Sequence, residues 1–395
     1  MKKKQGEDEK KQGEDEKKEE GNEQHASFWK DWIRFLENNQ NFHPYSPENH
    51  NVIRCGKNVS PRPNLDENIY KDHLKNHEKK EYELPKVCIP YLDKVFSSKS
   101  NSEYRKAIRN IPPCESDNEF NYNFLESIFR AIYNFHTTTV DVKDGEATFN
   151  SLFIYPFLET VTTWLKESQD WCKAGFRPGE TQLISMGKQL KNIPLYKEDN
   201  YSYLVDGIIK LYGLKNIEIV LLETSGCFGS IDKSKIAFDH HKGLFGALAM
   251  LKSIADEFPM ATVETFQKCK VFFVHGAGEN IYLWSLRFEP KGPIYELWLE
   301  DTLYIKPDID DKLDALPRFL NFFWGMKCLL TESILGFAQL KKEHTEYLVN
   351  NRFNGVTPSH TLSTIVNPSI LKLLEEDDKA GMHLLGPFYC DPSSP

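Results

Sequence analysis

Two carboxylates in the middle of the chain have the types and spacing suited to metal-assisted hydrolysis of a phosphodiester. Asp206 lies in one short apolar run, and Glu223 ends the next run seventeen positions later. This hydrolysis needs carboxylates that converge on one or two Mg²⁺ ions with a cation nearby, and adjacent strand ends supply such convergence. Alternation along the second run puts Glu223 on the face of Ile217, Ile219 and Leu221, so an apolar face ends in one carboxylate. A lone buried acid is costly unless it is paired or ligated.

The same residues also have purely structural interpretations. Asp206 followed by glycine is typical of a turn, and the run ETSG around Glu223 fits a strand end capped by hydroxyl groups. The run DHH that begins at Asp239 fits the acidic cap of a helix. The sequence contains no P-loop, nucleophile-elbow or HExxH zinc motif, so those site types are excluded.

The elements that would position these acids follow from the spacing of apolar residues. The sequence predicts strands at 201–213 and 217–226, the second covered on both faces, and a helix from Asp239 to about residue 258. A hairpin over 270–289, a strand over 293–305 and a long helix over 314–347 follow. Helices are also predicted at 27–38, 120–136 and 147–167. Residues 39–120 are rich in Asn, Pro and Lys, and we expect irregular structure with one short helix there.

The central runs carry a resemblance to a known group of proteins. DGIIK, EIVLLETSG, DHHKGLFGALAMLKSIAD, TFQKCKVFFVHGAGENIYLWSL and IYELWLED together resemble a family of uncharacterised fungal proteins with a PD-(D/E)XK, restriction-endonuclease-like core. The resemblance covers residues 146–305. It implies an α/β (α+β) fold, in which a central mixed sheet is flanked by helices, with helical additions at both ends of the chain.

The resemblance also implies a site. Asp206 matches the acid of the first strand and Glu223 the acid of the E-x-K element, and together they would bind Mg²⁺. Ser225 occupies the usual lysine position, and we expect Lys242 on the following helix to replace that lysine. The family's additional acid matches Glu159 or, alternatively, Glu146; the two are thirteen positions apart, so at most one faces the site.

Three further residues are assigned to substrate, namely Ser225, His240 and Lys210, with nucleic acid as the expected ligand. Asp239, next to His240, is expected either to join the metal shell or to orient phosphate. The net charge of −9 argues against a protein that coats nucleic acid by charge alone, but residues 188–252 contain nine lysines against seven acids. A local groove therefore remains compatible with the composition. The competing hypothesis is a non-catalytic interaction scaffold with a protein partner, which the serine in the lysine position and the acidic net charge favour.

The remaining segments define the predicted domain organisation of the chain. Within residues 1–26 the run KKQGEDE occurs twice, at 3–9 and 10–16, and no apolar residue fills a heptad core position, which predicts a solvated, mobile tail. We expect an irregular and helical region at 27–145, the core at 146–305, a packing helix at 306–350 and a C-terminal extension at 351–395. The eight scattered cysteines predict reduced thiols. Neither a secretion signal nor a membrane span is visible in the sequence, which predicts a soluble cytoplasmic or nuclear protein.

Overall fold

The computed structural model describes residues 29–38, 42–62, 64–77, 80–113, 116–167, 171–194, 202–306, 312–353 and 358–374, together with Lys379 and Met382. The predicted N-terminal tail lies outside these residues. The helix predicted at 27–38 is present as α1 over residues 29–38. Its buried residues Trp29, Trp32 and Phe35 lie at three-residue intervals, which directs one face of the helix inward.

The element order mixes helices and strands throughout. The strands are β1 (Val52–Gly56), β2 (Ala174–Gln182), β3 (Leu204–Leu211), β4 (Ile217–Thr224), β5 (Val271–Ala277), β6 (Asn280–Glu289) and β7 (Ile294–Tyr304). The helices after α1 are α2 (Glu67–Asn76), α3 (Ile89–Phe96), α4 (Asn101–Arg109), α5 (Ser116–Thr137), α6 (Glu146–Phe149), α7 (Tyr155–Glu167), α8 (Ile184–Lys191), α9 (Lys233–Glu257), α10 (Val263–Phe266), α11 (Lys312–Asn350) and α12 (Leu362–Ile365). A π-helical turn, Asn150–Ile154, joins α6 to α7.

All seven strands form one mixed sheet in the order β1-β7-β6-β5-β4-β3-β2. β1 runs parallel to β7 and β4 parallel to β5, while the other neighbours are antiparallel. Every residue of β4 is buried, as expected of a strand that is covered on both faces. The predicted α+β fold with a central mixed sheet flanked by helices is therefore confirmed.

Helices cover both faces of the sheet around β4. On one face α9 approaches closely, because Gly246 leaves room for the Leu221 side chain. On the other face the Thr224 hydroxyl donates to Asn150 Oδ1 over 2.7 Å, which ties the strand to the segment between α6 and α7. Leu221 and Thr224 thus point to opposite layers, and the end of β4 lies between them.

The prediction for residues 39–120 is wrong. This stretch contains β1 and the helices α2, α3 and α4. β1 is buried although it is an edge strand, because α1 and α2 cover it through a separate apolar cluster that includes Trp32, Ile53 and Tyr70. The Tyr70 hydroxyl donates to the carbonyls of Gly56 and Val59, which fixes α2 against the end of β1.

Four other elements were not predicted, namely β2, α8 and the short helices α10 and α12. The β2 sequence AGFRPGETQ contains breakers, and the sheet tolerates them because β2 is an edge strand that pairs only with β3 and is interrupted between Pro178 and Thr181. α8 follows β2 directly, and Glu218 caps it by accepting from the backbone amides of Ile184 and Ser185. α9 also begins earlier than predicted, at Lys233 instead of Asp239, with Asp232 as its cap.

The cysteine thiols and the longest helices bear on two further predictions, those of reduced cysteines and of a chain without a membrane span. The cysteines that the structure describes are free thiols, as predicted. Of the helices within the described ranges, none combines the length and apolar character that a bilayer crossing requires. The longest of them, α11, carries Lys327 near its middle.

Candidate functional site

The candidate site lies beneath α9, where β3 begins and the antiparallel strand β4 ends. In the antiparallel pairing of these strands Gly207 faces Leu222, so the preceding Asp206 is next to Glu223. Glu223 is only 2% exposed. Asp206 Oδ2 accepts a 2.6 Å hydrogen bond from the Thr224 backbone amide, so the first carboxylate is held at the end of the second strand. The fold thereby brings both predicted acids together.

Lys242 reaches this pair from α9. Its Nζ donates to Glu223 Oε2 over 2.9 Å. The Tyr203 hydroxyl donates to the Lys242 carbonyl over 2.8 Å, and the ammonium lies 5.9 Å from the centre of the Tyr203 ring. The backbone at Lys242 is therefore anchored, while the long side chain spans the distance from the helix to the sheet.

A second cluster of charged side chains adjoins the cluster of Asp206, Glu223 and Lys242. Glu146, at the start of α6, accepts from the Gly226 backbone amide through Oε2 over 2.8 Å. Lys235 Nζ lies 3.6 Å from that same oxygen and 3.3 Å from Asp239 Oδ2. Lys235 therefore bridges a helix on one side of the sheet to an acid on α9, across the turn that follows β4.

Burial dominates the electrostatics of the acids. It raises the pKa of Asp206 to about 6, and the nearby Glu146 charge adds to that effect. Burial also raises the pKa of Asp239 to about 6, although Lys235 and Lys242 oppose the shift. Two carboxyls with raised pKa values in one location are characteristic of functional sites, although structural ion-pair networks produce them as well.

Burial and ion pairing shift the pKa values of Lys242 and Glu223 in opposite directions. Burial raises the pKa of Glu223, which favours its neutral form. Burial would lower the pKa of Lys242, but the Glu223 charge outweighs it and the pKa is raised. The 2.9 Å contact favours the charged pair, because an ammonium at hydrogen-bond distance stabilises the carboxylate that it contacts.

Ser225, assigned to substrate, is buried. Its hydroxyl is hydrogen-bonded to His275 Nε2 over 2.8 Å, and it also stabilises the ionised form of Asp239. His275 precedes the glycine turn of the predicted hairpin, a position that predicts a surface residue. That prediction is wrong, because His275 is fully buried on β5, beside Glu223 in the parallel pairing. Burial lowers the pKa of His275 to about 3, so the ring is neutral near pH 7.

Two of the assigned residues, Glu159 and Lys210, lie away from Asp206 and Glu223, and a third, His240, lies away from solvent. Glu159 is exposed on α7, so Glu146 is the acid that reaches the site. Lys210 is four positions along β3 from Asp206 and pairs with Glu218, with Nζ 3.4 Å from Oε1. His240 is fully buried, with its ring centre 5.1 Å from that of Trp284, and has no exposed face for a ligand.

Sequence reasoning did not single out Lys235. Lys235, Asp239 and Lys242 lie at intervals of four and three, which places them on one face of a helix. That signal was missed because the helix was predicted to begin at Asp239, which left Lys235 outside it. The cap at Asp232, whose side chain accepts from the Lys235 amide, was the available clue.

The site residues can supply the small number of carboxylate ligands with which proteins usually hold Mg²⁺. Within the described ranges no three His, Cys, Asp or Glu side chains are arranged to hold a metal ion. Mg²⁺ is usually held by only one or two carboxylates, with water and phosphate oxygens completing its shell. Glu223 Oε1 is buried and makes no hydrogen bond among the described residues, so it has an open coordination position. Asp206 and Glu223 are thus the pair that would hold the ion.

Comparison with known proteins identifies no relative. No protein-family model matches the chain. No curated protein and no solved structure is detectably similar to it.

Proposed function

We propose that this chain is a Mg²⁺-dependent phosphodiester hydrolase with a restriction-endonuclease-like core, acting on nucleic acid. The observation that carries the proposal is the convergence of Asp206, Glu223 and Lys242 at the end of one buried strand, with Lys242 Nζ 2.9 Å from Glu223 Oε2. The mixed sheet covered by α7 and α9 is compatible with such a core. The sequence resemblance over residues 146–305 adds to it.

Each residue has a definite part in this proposal. Asp206 and Glu223 would hold the ion, and a bound Mg²⁺ would supply the activation of water and the shielding of phosphate charge that hydrolysis requires. The Lys242 ammonium faces the scissile phosphate, where a positive charge stabilises the charge that develops during hydrolysis. Ser225 cannot supply that charge, so its hydroxyl instead orients Asp239 beside the two acids.

The experiment is a calorimetric Mg²⁺ titration combined with a nuclease assay on single- and double-stranded DNA and RNA. Asp206→Ala should abolish both metal binding and cleavage, since one of two carboxylate ligands is lost. Glu159→Gln is the matched control, because it removes an exposed acid on α7. Millimolar Mg²⁺ that neither binds nor supports cleavage would refute the proposal.

One feature favours the competing function of an interaction scaffold. The acids are already compensated inside the protein, Glu223 by Lys242 and Asp239 by Lys235. A fold that uses these ion pairs only for stability needs no ion and acts by binding another protein. In that case Asp206→Ala should lower the melting temperature, because Thr224 loses its hydrogen-bond acceptor, and added Mg²⁺ should change nothing.

A further inference from the structure

The site contains its own cations, and one of them is hydrogen-bonded to an oxygen of an assigned metal ligand, Glu223. Lys242 Nζ is bonded to Glu223 Oε2, and Lys235 Nζ lies between Glu146 and Asp239. The two lysines are seven positions apart on α9 and so lie on one face of the helix. In this state Glu223 and Asp239 are each paired with a lysine without a metal ion.

A divalent cation at Asp206 and Glu223 would be placed next to the Lys242 ammonium. Like charges at such short range repel strongly, more so in a buried site than in water. The repulsion is relieved when the ammonium leaves Glu223. Lys242 can leave because its side chain is 22% exposed and flexible, whereas its backbone is held by Tyr203.

We infer that Lys242 is an exchangeable counter-ion, which blocks Mg²⁺ from Glu223 until a phosphodiester anion draws the ammonium away. This inference rests on the proposed function and adds a regulation to it: metal and nucleic acid bind cooperatively, and Lys242 is the coupling residue. Because coupling between two ligands is reciprocal, each ligand raises the affinity of the other by the same factor. An empty site therefore holds Mg²⁺ weakly, and a site with bound substrate holds it well.

The test is calorimetric titration of the full chain with Mg²⁺, with and without a short phosphorothioate DNA duplex, which resists hydrolysis. The wild type should bind Mg²⁺ at least about five-fold more tightly with the duplex, within the usual range for such coupling. Lys242→Met should bind Mg²⁺ alone more tightly than the wild type, because the competing cation is gone. The duplex should then add no further enhancement.

Lys252→Met is the matched control. Lys252 lies on the same helix in a comparable ion pair, with Nζ 2.6 Å from Asp256 Oδ1, but away from the site. It should behave like the wild type. Lys242→Gln serves as a second variant if the methionine variant does not fold.

The outcomes separate the two ideas. Equal Mg²⁺ affinity in the wild type and both Lys242 variants would overturn the exchange while leaving the metal site in place. A loss of Mg²⁺ affinity in the Lys242 variants would also overturn it, since the lysine would then support the metal. Absence of Mg²⁺ binding in every variant, with or without duplex, would refute the proposed function and the inference with it.

Discussion

Replacing the buried Lys327 by methionine should change how the stability of this protein depends on pH. Lys327 lies on α11 and is only 2% exposed. Its Nζ is 3.1 Å from the ring centre of Trp324, 4.0 Å from that of Trp164 and 5.1 Å from that of Phe124. Burial lowers its pKa from 10.5 to about 7. The amine thus lies in an aromatic box.

Whether stability rises or falls with pH depends on which of the two states, folded or unfolded, binds the proton at Lys327 more tightly. Between pH 10.5 and about 7 the unfolded chain binds a proton at Lys327 and the folded chain does not. Falling pH therefore destabilises the fold through this window, and the free energy of unfolding rises with pH. Each pH unit is worth about 1.4 kcal/mol, so the whole window amounts to roughly 4 to 5 kcal/mol. Attraction between the ammonium and the rings, about 2 kcal/mol when desolvated, reduces this to roughly 2 to 3 kcal/mol.

Urea unfolding of the wild type and Lys327→Met, at pH 7 and at pH 10, measures this effect. Methionine is unbranched and packs well against aromatic rings, so the variant should fold and should be at least as stable as the wild type at pH 7. The stability difference between the two proteins should shift by roughly 2 to 3 kcal/mol toward the wild type at pH 10. Other titrating groups cancel in this comparison.

Lys80→Met is the control, because Lys80 is half-exposed and pairs with Glu332 on the surface. It should leave the pH dependence unchanged. Identical pH dependence of the wild type and Lys327→Met would refute the reasoning, since it would mean that the ammonium remains charged in the folded protein throughout this range.

Three further predictions concern the sheet and its charges. In metal-free buffer, Lys242→Met should cost about 3 to 5 kcal/mol in urea unfolding, because it leaves the buried Glu223 carboxylate unpaired. Glu223→Gln should cost less, because the partly exposed Lys242 ammonium can turn toward solvent, and the double variant should recover most of the loss of Lys242→Met. Gly243→Ala should lower the free energy of unfolding by about 1 to 3 kcal/mol, because the new Cβ would fall 2.2 Å from the Phe273 ring; an unchanged melting temperature would contradict this packing. Burial would raise the pKa of Glu296, but Arg287 and His73 hold it well below its usual range, so the stability it contributes is present above pH 4.5 and lost as pH falls below it. Glu296→Gln should flatten that acid dependence in melting curves, and an acid transition of unchanged steepness would argue against the assignment.

The elements with strong periodicity could be read from the sequence. β4 contains the apolar run 219–222, and α11 carries apolar residues at helical intervals. Such patterns are local, because burial of one face or of both is written into consecutive residues. The neighbourhood of Asp206 and Glu223 also followed from the order of two adjacent strands.

The features that the sequence did not predict depend on contacts between residues that are distant in sequence. β1 carries no recognisable strand pattern and is a strand because α1 and α2 cover it. Glu146 and Glu159 are equivalent by type, and only the packing of α6 and α7 on the sheet decides that Glu146 reaches Gly226 while Glu159 remains exposed. His275 is buried because β5 lies between β4 and β6.

The sequence by itself therefore determined which segments form the central strands and which acids lie at their ends, since alternation and run length are properties of neighbouring residues. Only the tertiary structure decided which charges meet those acids. Lys242 reaches Glu223, and Lys235 lies between Glu146 and Asp239 beside the strand acids, because α9 packs with that side toward the sheet. Rotation of a helix against a sheet is set by the close packing of many distant side chains, and no local pattern contains it.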